Sequence, residues 1–122
     1  MAGRLVHFEV QADDADRAQA FYERVFGWSF QDSGMPGIDY RMFQEGDQGG
    51  AVYSSDERTG HLTVYFDTDD IDASLGRVRQ AGGEAEDKQP IPKVGWFVRC
   101  RDTEGNEFSL FQSDESVAPH IE

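Results

Sequence analysis

Lysine is almost missing from this chain of 122 residues: only Lys88 and Lys93 occur. Arginine does not make up the deficit. Lys and Arg together number 11 against 24 Asp and Glu, a net charge of −13. Nucleic acids and anionic membrane surfaces need a basic footprint, so neither is an expected partner. Cysteine occurs once, at Cys100. That excludes an internal disulfide and a cysteine-built zinc site. In the strand-like WFVRC a lone cysteine reads as packing. No apolar run approaches the roughly 20 residues of a membrane span. The N-terminal MAGRLVHFEV lacks the basic-then-apolar pattern of a secretion signal, so a cytoplasmic protein is expected. Familiar catalytic signatures are missing too. GDQGG lacks the lysine and the strand–helix setting of a phosphate loop. No GxSxG elbow is present. DTEGNE lacks the alternating ligands and closing glutamate of a calcium loop.

What is there is an internal echo with a period of 56. Asp13, Asp14 and Asp16 match Asp69, Asp70 and Asp72; Gly27, Pro36 and Gly49 match Gly83, Pro92 and Gly105. Tyr40 meets Trp96, and Val6, Phe8 and Val10 meet Leu62, Val64 and Phe66. The identities fall at helix starts, helix ends and turns, where backbone geometry dictates residue type. Each half therefore predicts the same elements. LVHFEVQ is a strand, and DDADRAQAFYERVFG is a helix capped by aspartate and ended by Gly27. Ala18, Phe21, Tyr22 and Val25 form its apolar stripe. WSFQDS, IDYRMFQ and GAVYSS follow as strands. In the second half HLTVYFD is the strand and DDIDASLGRVRQAGG the helix, with Ile71, Leu75, Val78 and Ala81 inward. GEAEDKQ, GWFVRCR and NEFSLFQ complete it. The result is an α+β chain of two βαβββ modules, one domain over 1–122. Module one is 4–56, module two 60–112, and 113–122 a loosely attached tail.

LVHFEVQADDADRAQAFYERVFGW, VYFDTDDIDASLGRVRQAGGE and GWFVRCRDTEGNEFSLFQ, in this order and spacing, resemble the vicinal oxygen chelate superfamily of glyoxalases, bleomycin-resistance proteins and ring-cleaving dioxygenases. The resemblance covers about residues 4–112. It implies that the modules form a curled mixed sheet around an open cleft, with helices on the convex side. It also implies a homodimer.

Side chains alternate along a strand. On the implied fold Val6, Phe8 and Val10 pack under the helix, while His7 and Glu9 face the cleft. Likewise Leu62, Val64 and Phe66 pack outward, and His61, Thr63 and Tyr65 line the cleft. On the last strand Phe108 and Leu110 pack; Glu107, Ser109 and Phe111 face in. The superfamily's four metal positions fall on His7, Thr63, Ser109 and, by the repeat, Tyr53. Only His7 is a good ligand, since hydroxyls do not replace imidazole or carboxylate. His61 and Glu107 lie one pleat away, and two residues along a strand is roughly 6.6–6.8 Å.

The leading reading is a protein that binds a small organic molecule without a divalent metal or other cofactor. Its ligand-binding residues would be His7, Glu9, Tyr40, Tyr53, His61, Thr63, Tyr65, Trp96 and Ser109. His7 and Glu9 are the catalytic candidates, as a polar pair on one face. Tyr40 and Trp96 offer large apolar rings with one polar handle. A second reading is a metal-dependent lyase or dioxygenase with one divalent ion displaced onto His7, His61 and Glu107. A third is a non-enzymatic, drug-sequestering protein. Sequence alone leaves open whether the chain is an enzyme, and which molecule it binds.

Overall fold

The computed structural model describes residues 3–54 and 62–118. The chain divides into two compact units, Val6–Thr63 and Val64–Glu122, the second joined by the residues before Val6.

The first unit runs β1 (Leu5–Ala12), α1 (Ala15–Phe26), β2 (Gln31–Asp32), β3 (Tyr40–Glu45) and β4 (Gln48–Ser54). Its strands lie in the order β2-β3-β4-β1. β3 and β4 form an antiparallel hairpin, and β1 joins β4 in parallel. The α1 boundaries follow local chemistry. The Asp14 carboxylate accepts from the Arg17 N–H at 3.0 Å, satisfying an otherwise unpaired first-turn donor. Gly27 ends the helix in the left-handed region at φ 74°, which costs glycine nothing. Ala15 and Ala18 let the helix lie close to the sheet. They pack with Tyr22, Phe30, Val10, Ala12 and Val52. Beside them Phe43 stacks on Trp28 at 4.1 Å and meets Phe8 edge-on at 5.5 Å. A Cβ on Gly50 would sit 2.7 Å from Phe43 Cζ and 2.9 Å from the Phe8 carbonyl oxygen, so glycine lets that ring cover the strand.

The second unit repeats the plan: β5 (Leu62–Asp67), α2 (Ile71–Gln80), β6 (Glu84–Ala85), β7 (Gln89–Ile91), β8 (Gly95–Arg101) and β9 (Glu107–Ser113). The strand order is β5-β9-β8-β6, with β7 also paired to β8. Asp70 caps α2 by accepting from the Ala73 N–H at 3.1 Å. The Gln112 side chain accepts from the Ile71 N–H at 2.8 Å and ties the helix to β9. Ile71, Val98, Cys100 and Leu110 form the core, flanked by Leu75, Val78, Trp96 and Phe108. Burial there pushes the Cys100 thiol up to about 11.

The sequence reading differs from this structure in five places. The repeat is not ungapped. Gln11 lies beside Tyr53 and Tyr40, while Asp67 lies beside Phe111 and Phe97. The 56-residue offset of the first strand thus becomes 57 on the third and 58 on the fourth, reading 97 against 40 and 111 against 53. Second, Phe21 and Val25 are more than half exposed; the inward face of α1 is Ala15, Ala18 and Tyr22. Third, Leu62 is 61% exposed and does not pack outward under a helix. Fourth, WSFQDS keeps only two strand residues, and GEAEDKQ gives two short strands rather than one. Fifth, 113–118 is not loose. Lys93 N–H donates to the Val117 carbonyl, Asp114 N–H to that of Val94, and Val117 is buried.

Because Gly50 has no room for a side chain, Gly50→Ala is expected to destabilise the fold by about 1–3 kcal/mol. Urea unfolding should show a lower midpoint with an unchanged slope.

Candidate functional site

Alternation on β1 sends Phe8, Val10 and Ala12 toward α1. His7, Glu9 and Gln11 therefore occupy the face of the sheet that α1 leaves uncovered. Register places Gly49 beside His7, Ala51 beside Glu9 and Tyr53 beside Gln11. On β3, Gln44, Met42 and Tyr40 continue the same three rows.

Tyr40 belongs to the row of Gln11, two strands from β1, a distance of roughly 9.5 Å at normal strand spacing. Its phenol crosses β4 nonetheless. The Tyr40 hydroxyl donates to Glu9 Oε2 at 2.6 Å and lies 2.7 Å from His7 Nε2. Gly49 and Ala51 are the only β4 residues under that path, and both are small. Ala51 is fully covered and Tyr40 is 9% exposed. The rings stack accordingly: His7 and Tyr40 are 14° from parallel, and Tyr53 lies 6.0 Å from Tyr40.

Proton counting fixes the direction of the network. Tyr40 has one hydroxyl hydrogen, and Glu9 receives it. The Tyr40 oxygen then accepts from His7 Nε2–H, which leaves the lone pair of the neutral ring on Nδ1. His7 Nε2 and Glu9 Oε2 are 3.9 Å apart, so the phenol couples them. Burial of the ring pulls the His7 pKa below 6.5, while the Glu9 charge opposes that shift. The imidazole is thus biased toward the neutral form.

Arg41 faces the other way, toward α1. Its guanidinium meets Asp16 at 2.7 Å, grips both carboxylate oxygens of Asp39 at 2.8 and 2.9 Å, and donates to Gln19 Oε1 at 3.1 Å. These bonds hold Asp39 below the usual carboxylate range and raise Arg41 further. They tie β3 to α1 at the residue next to Tyr40. Gln11 is a further polar group of the face. It is 9% exposed, and its Oε1 is buried without a hydrogen-bond partner.

In the second unit Tyr65, Ser109 and Arg99 share a row on the face opposite α2. Thr63 falls on that face by alternation and is half-buried. Ser109 is 1% exposed. Glu107 lies there too, paired with Arg101 at 2.6 Å. Trp96 does not. It packs beside the α2 core, donates to Asp114 at 3.3 Å and carries Lys88 over its ring. The shift of one residue on the third strand turns it to the helix side; Phe97 is the positional counterpart of Tyr40. By the shift of two residues on the fourth strand Ala51, not Tyr53, corresponds to Ser109. His61 lies outside the described residues. The structure thus brings His7, Glu9, Tyr40 and Tyr53 together in one unit, and Tyr65 and Ser109 together in the other. Gln11 and Arg41 were missed by the sequence reading, although Gln11 follows from the alternation that found Glu9.

Metal ligation requires donors that converge on one ion at about 2.0–2.2 Å. The Tyr40 oxygen already stands between His7 Nε2 and Glu9 Oε2. As arranged, this pair does not fit an ion. Among the described residues no group of three His, Cys, Asp or Glu side chains is placed to hold one.

Comparison with known proteins agrees with this architecture. Residues 7–111 match a family model described as a glyoxalase-like domain. The chain is 34% identical over 115 residues to CFP32, a proposed glyoxylase of Mycobacterium bovis, covering 90% of this chain and 44% of that protein. It therefore spans less than half the length of that relative. A glyoxylase-like domain-containing protein of Didymella fabae is 27% identical over 118 residues, covering 88% and 92%. Methylmalonyl-CoA epimerase of Mycobacterium tuberculosis superposes with a TM-score of 0.72 at 16% identity, covering 91% and 88%. A glyoxalase/bleomycin resistance protein/dioxygenase superfamily member from Vibrio splendidus gives 0.69 at 15%, covering 91% and 99%. At such identities the solved structures share the fold. With the family model spanning both βαβββ modules, the chain belongs to the glyoxalase-like domain family.

Proposed function

We propose that the chain binds a small organic molecule on the α1-free face of its first unit, at His7, Tyr40 and Glu9, without a divalent ion. The observation that carries this reading is the Tyr40 hydroxyl, 2.7 Å from the imidazole and 2.6 Å from the carboxylate. A neutral imidazole, a phenol and a carboxylate in one hydrogen-bonded chain can hold a polar group of a ligand and relay a proton. The flat rings of Tyr40 and Tyr53 supply apolar area beside them. The phenol oxygen stands between His7 Nε2 and Glu9 Oε2, so these two atoms do not share one ion as arranged.

The relatives narrow the ligand by contrast. Solved epimerases of this fold include complexes with methylmalonyl-CoA and with 2-nitronate-propionyl-CoA. Coenzyme A esters carry several negative phosphates. Among the described residues the rows of this face carry Glu9 and no Lys or Arg, on a chain of net charge −13. A small neutral or cationic molecule suits it better.

Three outcomes are expected. Hydroxyacetone, a small neutral keto-alcohol, should shift the His7 ring resonances in an NMR titration, and Tyr40→Phe should weaken that binding by about tenfold, the loss of one hydrogen bond of about 1.4 kcal/mol. Still His7 signals, or one equivalent of zinc, iron, nickel or manganese in protein purified without chelator, would sink the reading. Tyr40→Phe also leaves His7 and Glu9 without their shared partner, so stability should fall by about 1–3 kcal/mol in urea unfolding.

The third outcome concerns pH. His7 should titrate below 6.5, and Glu9→Gln should move it lower still, because the lost charge is the one raising it. The unfolded chain then binds the proton more readily than the folded one. The His7 contribution to stability is therefore complete above pH 6.5 and lost as pH falls through the folded value. Ring-proton shifts against pH read both effects.

A further inference from the structure

We infer that Gln11 selects the ligand: its side-chain amide oxygen accepts a hydrogen bond from a hydroxyl or amide N–H of the bound molecule. The inference rests on the binding face proposed above and adds to it a requirement on the ligand's chemistry.

Gln11 sits one pleat beyond Glu9 on the same face of β1, roughly 6.6–6.8 Å along the strand. Its row neighbours are Tyr53 and then Tyr40, whose phenol reaches back to Glu9. The side chain is 9% exposed, and Oε1 is buried with no hydrogen-bond partner. Turning the amide over would bury an N–H in its place. Buried polar groups almost always find partners, because an unmet one is destabilising. An apolar residue would suit this position better if folding alone mattered. This acceptor lies one row from Glu9, which the Tyr40 hydroxyl already links to His7. Ser109 Oγ is also buried and unpartnered, but its row neighbours are Tyr65 and Arg99 rather than the group built on His7, Tyr40 and Glu9.

The ligand class follows. A molecule whose polar end meets His7, Tyr40 and Glu9 must carry a hydrogen-bond donor on the side that faces Gln11. Short hydroxy-ketones, hydroxy-amides and similar compounds meet that requirement. Their O-methyl ethers do not.

Hydroxyacetone and methoxyacetone form a matched pair, since both carry the ketone and only the first can donate. In NMR titrations of the intact chain, hydroxyacetone should bind about threefold to tenfold more tightly, the range of one neutral hydrogen bond. It should shift both the His7 ring and the Gln11 side-chain amide signals. Gln11→Met, close in volume, should bring the two affinities together. The same substitution should raise Tm by about 2–4 °C, because an unmet polar atom is removed. A structural role would give the opposite sign, and a lower Tm with the preference retained overturns the inference. Should both ketones move His7 equally in the wild type, the Gln11 assignment falls while the binding face stands. Should neither move His7, both fall together. If Gln11→Met does not fold, Gln11→Leu serves for the affinity comparison, and the wild-type preference still decides.

Discussion

The hydroxyl of Tyr40 is held from two strands away by partners that sit on β1. Such a contact forms only if several other conditions hold. β3 must pair with β4 in the register that puts Tyr40 opposite Tyr53. The residues of β4 beneath the phenol must be small, as Gly49 and Ala51 are. β1 must run parallel to β4 with Glu9 beside Ala51. On the reverse of the sheet, Arg41 anchors β3 to Asp16 and Gln19 of α1, and Phe43 closes over Gly50 against Phe8. Arg41 and Phe43 of β3 are thus fixed from the helix side, and the phenol inherits that fixity. The two faces of the sheet divide the labour: one sets the backbone, the other carries the chemistry.

The two units build the same topology around different side chains. Where the first has His7, Glu9 and Ala51 on its helix-free face, the second has Thr63, Tyr65 and Ser109. Both helices begin at an aspartate whose carboxylate takes the third N–H onward, Asp14 for one and Asp70 for the other. Shared capping and shared hydrophobic rows account for the common fold. They say nothing of the polar residues between them, which is why family membership leaves the ligand open.

Much of this was legible in the residues. Aspartate followed by an apolar stripe marked both helices, and strict alternation sent His7 and Glu9 away from α1. What alternation cannot show is which strand lies beside which, and in what register. The bridge from Tyr40 depends on both, so the sequence named its three members without joining them. Trp96 failed for the same reason. An extra residue before the third strand of the second half reverses the side chains of that strand, and a second before the fourth restores the alternation; an ungapped repeat hides both insertions. Phe21 and Val25 show a different limit. Their spacing is helical, but a helix lying on a sheet through Ala15 and Ala18 covers a narrower arc than its apolar residues occupy.

Cys100 stands near the C-terminal end of β8, 5% exposed, as the single thiol of the chain. Burial keeps it protonated at neutral pH, and only a thiolate reacts quickly with alkylating reagents. Any labelling of this protein must therefore wait for β8 to come free of β9 and α2. The chain carries its own clock for the opening of its second half, readable by mass without an engineered probe and blind to motions elsewhere.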